Sequence, residues 1–296
     1  MIEVRRLGHA RFETPDLEKA IAYYTQTNGL ILAAHENNRA FLATKLGQLV
    51  VRLDLGSAAR CTGLSFEVAP GADFADLSRT LATGGVKSEL RSDVAPGLAK
   101  TLVFRDPKAT TIELFTNWNY LGANFHAAGI TPLKLGHVAF FVDDPKKLAE
   151  FYQTVLGFRV SDWIEDFFVS LRCNADHHAL NFIAGRNIKL HHFAFELKDF
   201  AQIQNACDGL GQQKTPIIWG PVRLGPGHNV AIFHRNADDQ VVEFYAELDQ
   251  MTDEALGYFV PRPWHRDRPQ RPKIWSRTEG SIWGPPPTAD FFRDRD

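Results

Sequence analysis

Residues 135–158 read LGHVAFFVDDPKKLAEFYQTVLGF, and residues 7–30, LGHARFETPDLEKAIAYYTQTNGL, align with them without a gap at an offset of 128. Eight positions are identical, among them His9 and His137 of the two LGH triplets. Two later segments recur in the same order: CTGLSFEV (61–68) matches HHFAFEL (191–197), and LVFRDPKATTIELF (102–115) matches IFHRNADDQVVEFY (232–245). Similarity that recurs along a chain indicates one structural unit used more than once. The sequence therefore predicts two copies of a single module.

The second copy shows how each module is built. The apolar run HVAFFV predicts a strand, and Asp144 followed by Pro145 is typical of a helix start. In PKKLAEFYQTVLG the apolar residues recur at helical spacing, and Gly157 predicts the end of the helix. FRVSDWI, FFVSLRC and HALNFIA then read as strands separated by short polar turns. The predicted order is βαβββ, followed by a second helix and a last strand.

Composition excludes several classes of protein. The formal net charge is -2, which provides no basic field for nucleic acid or anionic lipid, so neither is expected as a partner. No stretch of about 18 apolar residues and no N-terminal apolar leader occurs, so we expect a cytoplasmic protein without membrane segments. The three cysteines, Cys61, Cys173 and Cys207, lack CxxC spacing, which argues against disulfides and thiolate zinc. A small molecule is the expected ligand.

A duplicated βαβββ module over residues 1–250 resembles the vicinal oxygen chelate superfamily. The resemblance implies an α+β fold in which paired modules form curled mixed sheets around a metal site. We predict an N-terminal non-catalytic domain (1–128), a C-terminal catalytic metal-binding domain (129–250) and a Pro/Trp-rich extension (251–296). The extension holds seven prolines and three of the six tryptophans, so long regular elements are not expected in it. It is predicted to be a strap on the body or on a neighbouring subunit, with a disordered tail as the alternative.

Three residues of the second module have the side chains of metal ligands. His137 lies on the first strand, His192 on the strand after the variable loops, and Glu243 on the last. Inward side chains of neighbouring strands converge, and two imidazoles with one carboxylate suit Fe(II), or Mn(II), with open positions left. A lone histidine is more often a hydrogen-bonded core residue, and a strand glutamate usually faces solvent. All three residues lie in the segments that recur in both modules, and this shared placement favours a metal site.

The first module is an internal control for that prediction. It keeps His9 and Glu113, but Gly63 stands at the place of His192. We therefore expect the first module to be structural and the protein to bind one ion. A mixed site built from both modules, as in glyoxalase-like members of the superfamily, is the alternative.

Within the superfamily, the second module resembles the two-domain type I extradiol dioxygenases through RCNADHH (172–178) and LHHFAFEL (190–197). In that family a histidine lies fourteen residues before the second ligand, and His178 stands fourteen before His192. The resemblance implies that His178 is the catalytic acid/base, a role that suits imidazole near neutral pH. Its neighbour His177 should face the other way and is predicted to be structural.

The sequence departs from the family at two pocket positions. Leu224 and Phe233 stand where the family has a histidine and a tyrosine, so two polar groups are missing. Either a nearby histidine substitutes, or the substrate does, or the chemistry differs. His228, in the loop GPGHN, is the favoured substitute, and His234 should face away along its strand. Candidate aromatic walls, for which core packing is an equal alternative, are Trp163, Phe167 and Phe168.

The leading hypothesis is an Fe(II)-dependent extradiol dioxygenase that cleaves a catechol-like aromatic diol with O2, with Mn(II) as the other possible ion. The first alternative is a metalloenzyme of the same fold with isomerase or lyase chemistry, which Leu224 and Phe233 favour. The second is a metal-free binding protein, against which the three retained ligands speak. A homo-oligomer is expected. Bound metal separates the last alternative from the others, and oxygen uptake separates the first two.

Overall fold

The computed structural model describes residues 2–122 and 129–293. The first module has eight strands in one sheet, in the order β2-β3-β4-β1-β5-β8-β7-β6. The elements are β1 (Val4–Thr14), α1 (Leu17–Gln26), β2 (Ile31–Glu36), β3 (Arg39–Ala43), β4 (Leu49–Leu55), β5 (Arg60–Val68), α2 (Phe74–Thr83), β6 (Ser88–Ala95), β7 (Leu98–Arg105) and β8 (Thr111–Phe115).

The second module repeats this arrangement. Its strands follow the order β10-β11-β12-β9-β13-β16-β15-β14, which matches the first sheet strand for strand. The elements are β9 (Lys134–Val142), α3 (Pro145–Leu156), β10 (Arg159–Ile164), β11 (Phe168–Arg172), β12 (Leu180–Ala184), β13 (Lys189–Glu196), α4 (Phe200–Gln212), β14 (Ile217–Leu224), β15 (Val230–Arg235) and β16 (Val241–Ala246). The predicted α+β fold of duplicated modules with mixed sheets is confirmed.

Local sequence explains where the repeated helices begin and end. The carboxylates of Asp16 and Asp144 accept hydrogen bonds of 3.0 Å from backbone N–H groups of the first turns of α1 and α3. Such caps satisfy donors that have no partner inside the helix. Gly157 ends α3 at φ 72°, a left-handed conformation that glycine adopts without a steric cost.

One hydrophobic core joins the two modules. Phe12 of β1 and Phe193 of β13 meet with their ring centroids 4.6 Å apart, and both side chains are fully buried. Each belongs to a continuous core cluster that draws on both sheets and on all four helices. The first module therefore supports the second through apolar packing.

The C-terminal extension lies on the body of the protein. It forms β17 (Met251–Asp253), β18 (Tyr258–Phe259), β19 (Lys273–Trp275), β20 (Ser281–Trp283) and two 3-10 turns, Arg277–Glu279 and Ala289–Phe292. Strand β19 pairs with β10, and β20 pairs with β14, so the extension adds a strand to each edge of the second sheet.

This double pairing shows how strongly the second sheet is curled. Ten strands leave nine gaps, so its edges would lie about 43 Å apart in a flat sheet. The six residue steps from Trp275 to Ser281 span about 21 Å at most. The sheet is therefore a cup, and the extension crosses its opening. Gly225 allows the close approach, since a Cβ there would lie 1.9 Å from the backbone oxygen of Glu279.

The predicted boundary at residue 128 lies outside the described residues, and the other domain limits stay predictions. In the described part of the chain, no helix combines the length and the hydropathy needed to cross a membrane.

Candidate metal centre and cavity

The three predicted ligands meet on the inner face of the cup. His137 lies on β9, Glu243 on β16, and both are in register with Ala194 of β13, the strand between them. His192 lies two residues from Ala194, so strand alternation turns its side chain to the same face. All three ligand side chains are buried.

The distances among the ligand atoms fit a single ion. His137 Nε2 lies 3.1 Å from His192 Nε2 and 3.0 Å from Glu243 Oε2, and the last two atoms are 3.2 Å apart. Around an octahedral ion with bonds of about 2.1 Å, adjacent ligand atoms are about 3 Å apart. One face of such an ion matches this triangle and leaves the other positions open.

The charges in the triad also suit a metal. Burial alone would raise the pKa of Glu243, but the imidazoles of His137 and His192 lower that pKa to about 2. Burial lowers the pKa of His192, and the neighbouring carboxylate of Glu243 offsets only part of this decrease. Asn229 Nδ2 donates a 2.8 Å hydrogen bond to Glu243 Oε1 and fixes the carboxylate. Because metal ligands must be deprotonated, an ionised Glu243 and a neutral His192 are in the binding form.

In the first module an arginine closes the equivalent place. His9 Nε2 lies 3.3 Å from Glu113 Oε2, and Arg11 Nη1 lies 3.2 Å from Glu113 Oε1. Gly63 pairs with Arg11 across the sheet, and a Cβ at Gly63 would lie 3.0 Å from Arg11 Cδ. The guanidinium of Arg11 neutralises the carboxylate of Glu113. The second module has Ala139 at the position of Arg11 and so lacks this charge. Arg11 is visible in the sequence alignment, but its position beside Glu113 is not.

His178 lies beside the triad, two residues before the start of β12. Its ring is 4.3 Å from that of His137 between centroids, and its Nδ1 is 2.9 Å from His177 Nδ1. Burial, followed by the neighbouring imidazoles, holds the pKa of His178 well below its usual value. At neutral pH the ring is therefore uncharged and able to accept a proton.

The triad and His178 line a cavity of about 340 Å³. Its walls are mostly aromatic and aliphatic, and they include both departures from the family pattern, Leu224 and Phe233. Phe233 stacks on Trp219 with centroids 5.1 Å apart. Of the predicted aromatic walls, Phe167 and Phe168 line the cavity, whereas Trp163 packs against the hydrophobic core.

The extension supplies one side of this cavity. Phe291 contacts Trp219 and Phe233 with ring centroids 4.8 and 5.1 Å apart. The lining residues from the extension are Arg277, Thr278, Gly280, Ser281, Pro287, Phe291 and Phe292. The aromatic content of the extension was a signal for packing, but no sequence feature indicated that it completes the cavity.

His228 and His234 lie elsewhere. His228 is outside the set of described side chains that line the cavity, and its Nδ1 contacts Asp249 Oδ2 at 2.7 Å. We therefore assign it no substrate contact, because this bond turns its ring toward Asp249. His234 is buried with Nε2 2.6 Å from Tyr23 Oη of the first module, and it faces away from the cavity as predicted.

His228, Asp249 and His265 are the other group of three possible ligands among the described residues. The backbone N–H of Arg262 donates to His265 Nδ1 at 3.3 Å, so the proton of this ring lies on Nε2. That nitrogen then donates to Asp249 Oδ1 at 2.8 Å. The cluster is a hydrogen-bonded clamp that holds the extension on the body.

A larger groove, of about 710 Å³, lies between the modules. Its lining is rich in charged side chains of both signs, such as Arg60, Glu13 and Asp238. The three predicted ligands lie in the smaller cavity, so we assign the chemistry there.

Residues 134–253 match the Glyoxalase/Bleomycin resistance protein/Dioxygenase superfamily. Biphenyl-2,3-diol 1,2-dioxygenase of Paraburkholderia xenovorans (strain LB400) is 24% identical over 93% of this chain and 95% of its own. The 2,2',3-trihydroxybiphenyl dioxygenase of Sphingomonas paucimobilis is 28% identical over 93% and 97%. Among solved structures, the Mn(II)-bound glyoxalase from Novosphingobium aromaticivorans superposes with a TM-score of 0.84 at 22% identity, covering 98% and 94%.

The fold and the triad thus agree with the resemblance to the vicinal oxygen chelate superfamily that the sequence indicated, and the family match covers residues 134–253. The second module carries a domain of the Glyoxalase/Bleomycin resistance protein/Dioxygenase superfamily, and the chain has extradiol dioxygenases as full-length relatives.

Proposed function

We propose that this protein is an extradiol dioxygenase that opens a catechol-like aromatic ring with O2. The observation that carries the proposal is the triangle of His137, His192 and Glu243, with sides of 3.0 to 3.2 Å, beside His178 in an aromatic cavity. The full-length relatives support it. On this proposal, residues 1–128 support the catalytic residues 129–250, and residues 251–296 complete the cavity. A homo-oligomer stays a prediction.

The triad would hold one Fe(II) or Mn(II) ion. When bound, such an ion supplies open coordination positions for two vicinal oxygens and for O2. Uncharged His178 is placed to accept a proton from a substrate hydroxyl, and Asn229 holds Glu243 in its orientation. The product would be of the muconic semialdehyde type, formed by opening the ring next to the diol.

The cavity wall favours an uncharged diol with an apolar substituent. Phe167, Phe233 and Phe291 all line the cavity, and such surfaces bind aromatic rings through burial and stacking. Arg277 lies at the rim, but its Nε donates to Glu165 at 2.6 Å, so this charge is already paired. A substrate carboxylate would have to displace that pair.

The decisive experiment is metal analysis of anaerobically purified protein, followed by oxygen uptake with catechol and 2,3-dihydroxybiphenyl. We expect uptake with both diols, and more efficient turnover of the larger one. Protein with a full complement of metal that consumes no oxygen would favour the isomerase or lyase alternative. The apolar Leu224 and Phe233, which remove two polar groups from the cavity, are the observation that supports this alternative.

Returning both polar groups should improve a ring-cleaving enzyme. We expect Leu224→His with Phe233→Tyr to raise kcat/KM for catechol by about tenfold or more, since one well-placed donor is worth about 10² to 10³ in rate. Both side chains line the cavity, but Phe233 is only 2% exposed, so a new polar group that finds no partner there would cost about 1 to 3 kcal/mol of stability. Each single variant serves as a control. Unchanged turnover in a folded, metal-loaded double variant would show that the apolar wall does not limit the reaction.

The extension should determine how well a large substrate binds. We expect Phe291→Ala to raise KM for 2,3-dihydroxybiphenyl about tenfold with kcat close to normal, because it removes an aromatic wall and no reacting group. Leu256→Ala, at an exposed position of the extension, is the control and should behave as the unaltered protein. Equal kinetics of the two variants would contradict this role of Phe291.

A further inference from the structure

We propose that Asp162 and His177 are positioning residues that set which nitrogen of His178 carries a proton, and that the C-terminal extension holds them in place. The inference rests on the proposed function, in which His178 is the base. It assigns a role to His177, for which the sequence indicated only a structural one.

A continuous row of hydrogen bonds leads from the extension to His178. Asp162, on β10, is 2% exposed and has contacts with three N–H donors. Trp275 Nε1 donates to its Oδ2 at 2.7 Å, and the backbone N–H of Lys273 donates to Oδ1 at 2.8 Å. The third contact is His177 Nε2, 2.9 Å from Oδ2. His177 Nδ1 lies 2.9 Å from His178 Nδ1.

These contacts are the basis for the proposed proton positions. The carboxylate of Asp162 only accepts, so His177 Nε2 carries a hydrogen and donates it. With the ring hydrogen of His177 on Nε2, its Nδ1 is the acceptor, and the hydrogen in the contact between the two rings belongs to His178 Nδ1. His178 is left with its lone pair on Nε2, the form that accepts a substrate proton at that atom.

The same row stays intact during the proton transfer that follows. A proton leaves the substrate hydroxyl and bonds to His178 Nε2, while the hydrogen on His178 Nδ1 continues to bond to His177 Nδ1. The row therefore holds the His178 ring in one orientation before and after the transfer.

The extension is part of this device. Lys273 and Trp275 both lie on β19, so two of the three hydrogen bonds to Asp162 come from the extension. The backbone N–H of His177 also donates to the backbone oxygen of Asp249 at 2.9 Å, a bond that does not depend on the side chain of His265. Docking of the extension and orientation of the base therefore use common residues.

His177→Phe tests the row, with His265→Phe as a matched control. Each change removes a buried ring whose Nε2 contacts a buried aspartate, at 2.9 Å for Asp162 and 2.8 Å for Asp249. Only His177→Phe breaks the row of hydrogen bonds to His178. Both variants remove a hydrogen bond close to the contact between the extension and the body. Phenylalanine retains the packing of ring 177 on Phe259, where the centroids are 5.1 Å apart. His177→Gln, which keeps a donor and an acceptor, is the rescue variant.

The first measurement is 15N NMR of protein labelled in its histidine rings and loaded with diamagnetic Zn(II), with His178→Ala used to assign the signals. In the unaltered protein we expect hydrogen on Nε2 of His177 and on Nδ1 of His178. In His177→Phe, His178 should show a mixture of both neutral forms, while His265→Phe and His177→Gln should keep the original pattern. The opposite pattern in the unaltered protein, or no change in His177→Phe, would overturn the proposal.

The second measurement is oxygen uptake with 2,3-dihydroxybiphenyl. His177→Phe should lose about 10- to 100-fold in kcat, the usual effect of removing a partner of a site residue, with KM and metal content within a few fold. His177→Gln should recover most of the loss. An equal kcat loss in His265→Phe would overturn the proposal, because weaker docking alone would then explain the effect. If the unaltered protein consumes no oxygen, the proposed function is refuted. The NMR pattern tests the proton positions independently of activity.

Discussion

His192→Ala should purify almost free of iron and manganese and show no oxygen uptake, whereas His9→Ala should bind about one ion per chain. His192 supplies one side of the ligand triangle, at 3.1 and 3.2 Å from the other two ligand atoms. Loss of a residue that merely orients a ligand costs about 10- to 100-fold in affinity, and loss of a ligand costs more. Without the ion, the buried Glu243 would keep only His137 and Asn229 as partners.

His9 is the matched control, because it occupies the place of His137 in the first module. Its neighbour Glu113 is already paired with Arg11 at 3.2 Å. In the first module, the guanidinium therefore occupies the place beside the carboxylate where a metal ion would have to bind. The measurement is metal content by mass spectrometry after anaerobic purification, with unfolding temperatures to confirm the fold. Equal metal loss in the two variants would refute a single site in the second module and would support a mixed site.

His178→Ala should keep its metal and lose about 10² to 10⁴ in kcat, the usual contribution of a general acid or base. The side chain lines the cavity beside His137, but it lies outside the ligand triangle. Its uncharged form at neutral pH, which burial favours, is the form that takes a substrate proton. KM for 2,3-dihydroxybiphenyl should change only a few fold, because the aromatic wall is unaltered.

His228→Ala is the comparison for this second experiment. The ring of His228 is bonded to Asp249 outside the cavity, so kcat should stay within a few fold of normal. Steady-state oxygen uptake and metal analysis of both variants decide the matter. Activity of His178→Ala within a few fold would make His178 structural, and a large loss in His228→Ala would revive it as a substrate contact.

Much of the fold could be predicted because it depends on local patterns that occur twice. The LGH triplets, the caps at Asp16 and Asp144 and the end of α3 at Gly157 are signals within one short segment. The repeat offset then identifies equivalent strands, and alternation along a strand assigns one face to each residue. These two regularities were enough to select His137, His192 and Glu243 as candidates before any distance was known.

The tertiary structure alone decided what surrounds those ligands. Arg11 contacts Glu113 across the first sheet, and Phe291 lines the cavity. Asp162 accepts a hydrogen bond from the backbone N–H of Lys273, which lies 111 residues further along the chain. Such contacts depend on strand register and on sheet curvature, which arise from the packing of the whole molecule. The pairing of β19 and β20 with the sheet edges uses backbone N–H and C=O groups that every residue type except proline provides, so the sequence has no local signal for it.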